Sequence, residues 1–278
     1  MEPARVSLED IIAHKREEVA RAKSATPLSD LELLVAQEEP PRNFFRAVRP
    51  ANPNKTSVIA EIKRKSPSAG LIRPEYEGEH FAPEAIARQY HAAGAVAISC
   101  LTDETFFGGH LSFIHRVKAA CPLPVLRKDF IIDPWQLWES RANGADAVLL
   151  IAEALKEGEL VDLLILAQQL QLTTLLEVHD VDNLLKVRPH VGFPHRGYAL
   201  LGINNRDLQT MQVDLGNTLR LADLVDDKSV LVSESGIRSR DDLLKLRGVG
   251  VRIVLVGEHL MRQNHPGQAL ADLLGAPE

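Results

Sequence analysis

The chain has 278 residues, 45% of them hydrophobic and 25% charged, with a formal net charge of -6 and a pI near 6.0. That suffices for one full core, and the acidic balance excludes a general nucleic-acid surface, which needs a concentrated basic face. Two cysteines, Cys100 and Cys121, exclude a disulfide framework or thiolate metal site, no apolar run is long enough to span a membrane, and Met1-Glu2-Pro3-Ala4-Arg5 is no signal core, so a cytoplasmic protein is expected.

Ser7-Leu8-Glu9-Asp10 resembles a capping box and predicts a helix from there to about Lys23, with Leu8, Ile11, Ile12 and Val19 near one face. A second short helix is predicted over Asn43–Val48. Pro50 to Asn54 then separates an N-terminal helical extension, residues 1–50, from a catalytic domain, residues 51–278. The next run, Val58-Ile59-Ala60-Glu61-Ile62-Lys63, alternates with period two. Ala60 and Ile62 share one face of this strand, while Glu61 and Lys63 share the other.

Seven more runs of this kind follow, starting at Ala95, Pro124, Ala147, Thr173, Ala199, Ser229 and Arg252. Their spacing, from 23 residues (124 to 147) to 37 (58 to 95), leaves room for a helix each time. Helical patterns do fill the gaps: Pro83–Ala93, Leu111–Ala120, Pro134–Asn143, Lys156–Leu170, Asp180–Val187, Leu215–Val225 and Arg240–Leu246, with Gln268–Leu274 after the last strand. Pro83 and Pro134 suit first helical turns, and Gly94 and Gly144 suit helix C-terminal caps. Eight βα units in one chain imply a closed parallel (β/α)8 TIM barrel. The alternative, an open doubly wound sheet, would carry a glycine-rich fingerprint after its first strand, where this chain has Lys63-Arg64-Lys65-Ser66-Pro67.

In such a barrel the catalytic face is made by the C-terminal strand ends. Glu61, Lys63, Lys128, Glu177, Asn204, Arg206 and Ser235 all fall there, on five strands. Each alone has a structural alternative as a rim ion pair, a turn or a cap; together they converge on one rim. Ser235-Gly236 after the seventh strand, and Gly257 before a short helix Glu258–Met261 after the eighth, suit a phosphate cradle built on backbone N–H groups. His179 lacks companions at ligand spacing, so it reads as a hydrogen-bonded neighbour rather than a metal ligand. Phe106-Phe107-Gly108-Gly109 is an apolar loop able to cover an aromatic substrate.

These residues resemble the indole-3-glycerol phosphate synthases of tryptophan biosynthesis. The likeness covers nearly the whole chain and rests on Ile59-Ala-Glu-Ile-Lys-Arg-Lys-Ser-Pro-Ser68, Leu101-Thr-Asp-Glu104 with Phe106-Phe107, Leu126-Arg-Lys-Asp-Phe130, Leu175-Leu-Glu-Val-His179, Gly202-Ile-Asn-Asn-Arg-Asp-Leu208 and Glu234-Ser-Gly-Ile237. It implies closure of a pyrrole ring on 1-(2-carboxyphenylamino)-1-deoxyribulose 5-phosphate, with loss of carbon dioxide and water and no cofactor or metal. Lys128 becomes the general acid, Glu177 the base, Lys63 with Glu61 an aid to water loss, and Asn204 a guide for the hydroxyls. Arg206 suits the carboxylate, and Ser66, Phe107, Ser235, Gly236 and Gly257 line the substrate.

One departure is Glu258, with His259, where many members carry a small residue. Glu258 is expected to join the substrate site through its backbone with its side chain turned away, or else phosphate binding is weaker than usual. Phosphoribosylanthranilate isomerase, an alternative, would place a cysteine where Lys63 stands and an acid where Asn204 stands. A second alternative, a non-catalytic subunit binding a phosphorylated metabolite, would have no use for paired lysines and glutamates. The implied partner is a small phosphorylated substrate, with no nucleic acid and no membrane; a monomer is the default, and docking on other pathway enzymes is left open.

Overall fold

The structure, a computed structural model, describes residues 6–50, 52, 54–78, 81–207 and 212–275. Residues 51 and 53 of the expected boundary, Leu208 of the Asn204-containing motif, and Met1 to Arg5 lie outside the described residues.

Eight parallel strands close into a barrel: β1 (Ser57–Ile62), β2 (Ala97–Leu101), β3 (Val125–Lys128), β4 (Ala147–Ile151), β5 (Thr173–Val178), β6 (Ala199–Asn204), β7 (Leu231–Glu234) and β8 (Ile253–Val256). β1 pairs with both β2 and β8, which closes the ring and leaves no free edge. Each strand sends alternate side chains to opposite faces. Val58, Ala60 and Ile62 of β1 join the large apolar layer beneath the helices, whereas Ile59 joins a second cluster inside the barrel with Leu126, Leu175, Val232 and Leu255.

Three helices precede the barrel: α1 (Leu8–Ala25), α2 (Leu28–Gln37) and α3 (Phe44–Val48). α1 starts at the expected capping box, with Ser7 Oγ accepting from Asp10 N at 3.1 Å and Asp10 Oδ2 accepting from Ser7 N at 3.0 Å. Its buried face is Ile11, Ile12, Lys15 and Val19; Leu8 is only half-buried, and the lysine among them was not anticipated. α2 was not anticipated either. It follows Pro27 with no side-chain cap, and its leucines at 28, 33 and 34 are exposed, so it has little of the one-sided pattern that marks a helix in sequence.

α3 plugs the N-terminal end of the barrel. Phe44, Phe45 and Val48 are buried against Ile59, Ala97, Ala147, Val230 and Ile253, and full burial of each such side chain is worth roughly 1.5–3 kcal/mol. Arg42 fixes the approach: its backbone N–H donates to Asp146 Oδ1 at 2.7 Å, and its guanidinium to the carbonyls of Cys121 and Leu123, both at 2.8 Å.

The remaining helices follow the expected units: α4 (Pro83–Ala92), α5 (Phe113–Ala120), α6 (Pro134–Ala142), α7 (Glu157–Gln169), α8 (Val181–Val187), α9 (Gly216–Leu221), α10 (Arg240–Gly248), α11 (Glu258–Met261) and α12 (Pro266–Leu274). Gly94 and Gly144, with φ of 94° and 77°, end α4 and α6 as anticipated. No described helix is long and apolar enough to cross a membrane.

Candidate active site

The last inward-facing residues of the odd-numbered strands decide the chemistry of the barrel mouth. One step down, these strands contribute Ile59, Leu126, Leu175 and Val232, a layer of four apolar side chains from alternate strands. Two residues further along each strand, the next layer is Glu61, Lys128, Glu177 and Glu234. A position that would ordinarily be packed with branched aliphatics therefore holds three acids and a base.

Lys128 Nζ lies 2.5 Å from Glu177 Oε2 and 2.8 Å from Glu234 Oε2, and the two carboxylates are almost fully buried. Lys63 Nζ lies 2.7 Å from Glu61 Oε1 on the β1 side of the mouth. Glu234 was not among the anticipated site residues, although its tetrapeptide Glu234-Ser-Gly-Ile237 carries part of the family likeness. The alternation that singled out Glu61 and Glu177 places Glu234 inward as well, and this was the available signal. Gly202 on β6 makes room for it: a Cβ there would collide with Glu234 Oε1.

Burial raises the carboxyl pKa of Glu234, and the adjacent Glu177 charge adds to this; Lys128 opposes them without prevailing, so Glu234 is pushed up to about 8. Burial acts on Glu177 too, but Lys128, then His179, and hydrogen bonds from Lys128 and Asn204 outweigh it and hold Glu177 well below the ordinary carboxylate range. The ammonium of Lys128 is desolvated, yet the two glutamates hold its pKa above the usual lysine value. The two carboxylates, alike in sequence, thus differ in protonation. His179 stands behind Glu177, with Nε2 3.4 Å from Glu177 Oε1 and Nδ1 3.2 Å from Glu153 Oε1. Among the described residues no group of three or more His, Cys, Asp or Glu side chains is arranged to hold a metal.

A cavity of about 530 Å³ opens above this layer, lined by Glu61, Lys63, Phe107, Lys128, Glu177, Asn204, Arg206, Ser235, Gly236, Gly257 and Glu258. Eleven of the twelve anticipated site residues therefore meet in one chamber. Ser66 does not line it. It borders a smaller recess alongside, shared with Leu8 and Ile11 of α1, Lys63, Phe107, Phe130 and Arg206.

At one side, Ser235 and Gly236 are both left-handed, with φ of 66° and 80°. Asn205 holds this turn from below: its Nδ2 donates to Ser233 Oγ, Glu234 O and Ser235 O at 2.9–3.0 Å, and its Oδ1 accepts from Thr218 N and Oγ1. Gly257 precedes α11, whose first N–H groups have no partner within the helix.

Glu258 does not turn away as expected. It lines the cavity, with Oε2 accepting from Arg206 Nη2 at 2.8 Å and Oε1 from Arg262 Nε and Nη2 at 3.0 and 2.8 Å. Two guanidiniums hold its carboxylate on the cavity side. Burial raises its pKa, but Arg262 and Arg206 together bring it below the usual value. Arg206, anticipated as a carboxylate fork, also donates to Ser68 Oγ at 3.3 Å.

Residues 8–273 match the family model described as indole-3-glycerol phosphate synthase. The chain belongs to the indole-3-glycerol phosphate synthase family. It is 47% identical over 270 residues to a protein of that name from Acidithiobacillus ferrooxidans, covering 96% of this chain and 97% of the relative. A protein of the same name from Rhodospirillum rubrum is 45% identical over 269 residues, covering 96% and 98%. The barrel also resembles a 3-hexulose-6-phosphate synthase structure, with a TM-score of 0.58 and 15% identity over 78% of this chain and 97% of that one. A thiamine phosphate pyrophosphorylase from Pyrococcus furiosus gives 0.53 and 15% over 80% and 95%. At such identity these two structures show the fold alone. As a member of this family, the chain is a lyase acting on a small phosphorylated substrate, which sets aside the isomerase and non-catalytic alternatives.

Proposed function

We propose that Lys128, Glu177, Glu234, Lys63 and Glu61 carry out the family reaction as a set of acids and bases around one ring-closing centre. The protein converts 1-(2-carboxyphenylamino)-1-deoxyribulose 5-phosphate to indole-3-glycerol phosphate, carbon dioxide and water, as a carbon–carbon lyase. The observation that carries the assignment of roles is the ammonium of Lys128, held between one ionised and one raised carboxyl group.

In the first step the aromatic carbon bearing the carboxylate attacks the ketone carbon, and the carbonyl electron pair moves to oxygen. The developing alkoxide needs a cation and a proton, both of which Lys128 supplies; it can be reprotonated by Glu234, the neighbour most able to hold a proton near neutrality. Loss of carbon dioxide returns the bonding pair to the ring. The new hydroxyl then leaves as water, protonated by Lys63, which Glu61 holds in place, while Glu177 removes the proton that completes the pyrrole double bond. A positioned acid or base of this kind is worth about 10²–10⁴ in rate.

Asn204, beside Glu177, orients the substrate hydroxyls. Ser235, Gly236 and Gly257 receive the phosphate on backbone N–H groups. Arg206 pairs with the substrate carboxylate, for which Glu258 stands in when the site is open. Phe107 and Phe130, with ring centroids 5.9 Å apart, wall the aromatic ring, and Ser66 closes the side recess. Supplying the purified protein with the substrate and following indole fluorescence tests this reading; absence of turnover by folded protein would reject it.

A further inference from the structure

Lys15 is an α1 residue, outside the barrel, yet its side chain is completely buried, and its ammonium lies 3.0 Å from Asp103 Oδ2, 3.0 Å from Asp129 Oδ1 and 2.9 Å from Glu18 Oε1. Asp103 follows β2, Asp129 follows β3, and both are buried. Among the described residues Lys15 is the one ion-pair partner of Asp103, whereas Asp129 also has Arg127 at 3.2 Å.

Each aspartate holds backbone that forms the cavity wall. Asp103 Oδ1 accepts from Phe106 N at 2.7 Å and Phe107 N at 3.2 Å; Asp129 Oδ1 accepts from Phe130 N at 2.8 Å. The chain of contacts therefore runs from Lys15 through two carboxylates to the backbone of the two aromatic walls, and Asp129 directly follows Lys128. His14 grips the first loop as well, with Nε2 3.0 Å from Thr105 Oγ1 and its ring edge-on to Phe106.

We propose that Lys15 is a positioning residue for catalysis: from the N-terminal helix it latches the loops after β2 and β3 together and so sets the placement of Phe107 and Phe130, the adjoining aromatic walls against which the substrate's aromatic ring is held. A buried charge cluster that only stabilised the fold could be placed anywhere and is often no better than packed apolar residues. Here Asp103 gives its other oxygen to the chamber wall, and Asp129 shares the oxygen that faces Lys15 with Phe130 N, while Thr102 and Arg127 hold its second oxygen. A small misplacement of a reacting ring can cost about a hundredfold in rate. The inference rests on the activity proposed above for its kinetic part only.

The test compares wild type with Lys15→Met, which keeps the stem and removes the charge, and Lys15→Arg, which keeps the charge and changes its reach. Amide hydrogen exchange in the ligand-free proteins reads the latch without any substrate. Peptides carrying the Phe106, Phe107 and Phe130 amides should exchange at least about tenfold faster in the variants, while peptides from β5 and β6 stay unchanged. With substrate, kcat/KM should fall at least about tenfold in the folded variants, and Lys15→Met should cost little more in a Phe107→Ala background. Unchanged exchange at those amides would overturn the latch. Faster exchange with wild-type kcat and KM, or costs that add fully to those of Phe107→Ala, would overturn its catalytic meaning. If Lys15→Met fails to fold, Lys15→Arg decides by the same readings. An inactive wild type would reject the proposed activity instead, and the exchange experiment would still decide the latch.

Discussion

Lys128 Nζ stands 2.8 Å from Glu234 Oε2 while Glu177 occupies its other side at 2.5 Å, so one ammonium serves two buried acids that cannot both be comfortable as anions. Glu234 yields, with a pKa pushed up to about 8 from an ordinary 4.5. An acid raised on folding favours the folded state fully below its unfolded value, and that contribution is lost as pH rises through the folded one. Relative to Glu234→Gln, wild type should therefore lose stability between about pH 4.5 and 8. Thermal unfolding of both proteins across this range measures it. The kcat/KM profile of wild type should also bend near pH 8, and Glu234→Gln should remove that bend; a bend that persists would give it to another group.

Lys128→Ala should lower kcat at least about a hundredfold with little change in product affinity, the usual scale for a positioned acid. The loss should exceed any fall in folded fraction, which circular dichroism would report. Wild-type turnover would remove Lys128 from the acid's role.

Gly236→Val should raise KM strongly. At φ of 80° a β-branched residue is strained, and a Cβ would come within 2.6 Å of Val213 Cγ1, so the turn held by Asn205 must move. Glu258→Ala should do the reverse and lower KM or leave it unchanged, because it frees Arg206 and Arg262 for an incoming anion. Steady-state kinetics on the two variants separates the cases, and a higher KM for Glu258→Ala alone would mean that Glu258 holds substrate.

Deleting residues 1–40 removes α1 and α2 but keeps Arg42 and the α3 plug. The barrel should remain folded, with a lower melting temperature, and should bind or turn over substrate poorly, since the mouth then lacks Leu8, Ile11 and Lys15. Equal activity and equal melting temperature would show that the segment is dispensable, and unfolding would show that it is structural.

The barrel was legible because its strands are uninterrupted apolar runs with alternation at their ends, and because Glu61, Lys128 and Glu177 break those runs at the same point of their units, with Lys63 one step beyond Glu61. Lys15 was not legible: in sequence, a lysine beside an apolar stripe looks like a solvated side chain, and the two aspartates that bury it come from loops distant along the chain. Glu234 was obscured by the adjoining Ser-Gly turn, which drew attention to backbone rather than side chain. The direction of Glu258 depends on Arg206 and Arg262, which meet it only in the folded barrel. α2 lacks a cap and a clear apolar face, so nothing local announces it.

The apolar layer of Ile59, Leu126, Leu175 and Val232, backed by the plug of Phe44, Phe45 and Val48, has a kinetic consequence. With the barrel interior filled below the charged layer, the chamber is a blind well. Substrate enters, and indole-3-glycerol phosphate leaves, by the same doorway. The product carries its phosphate and a flat bicyclic ring into the places the substrate would use, so each turnover ends with the entrance blocked until the product has departed. Inhibition by product should accordingly be competitive with substrate, and departure, rather than ring closure, sets the ceiling on turnover wherever the grip on phosphate is tight.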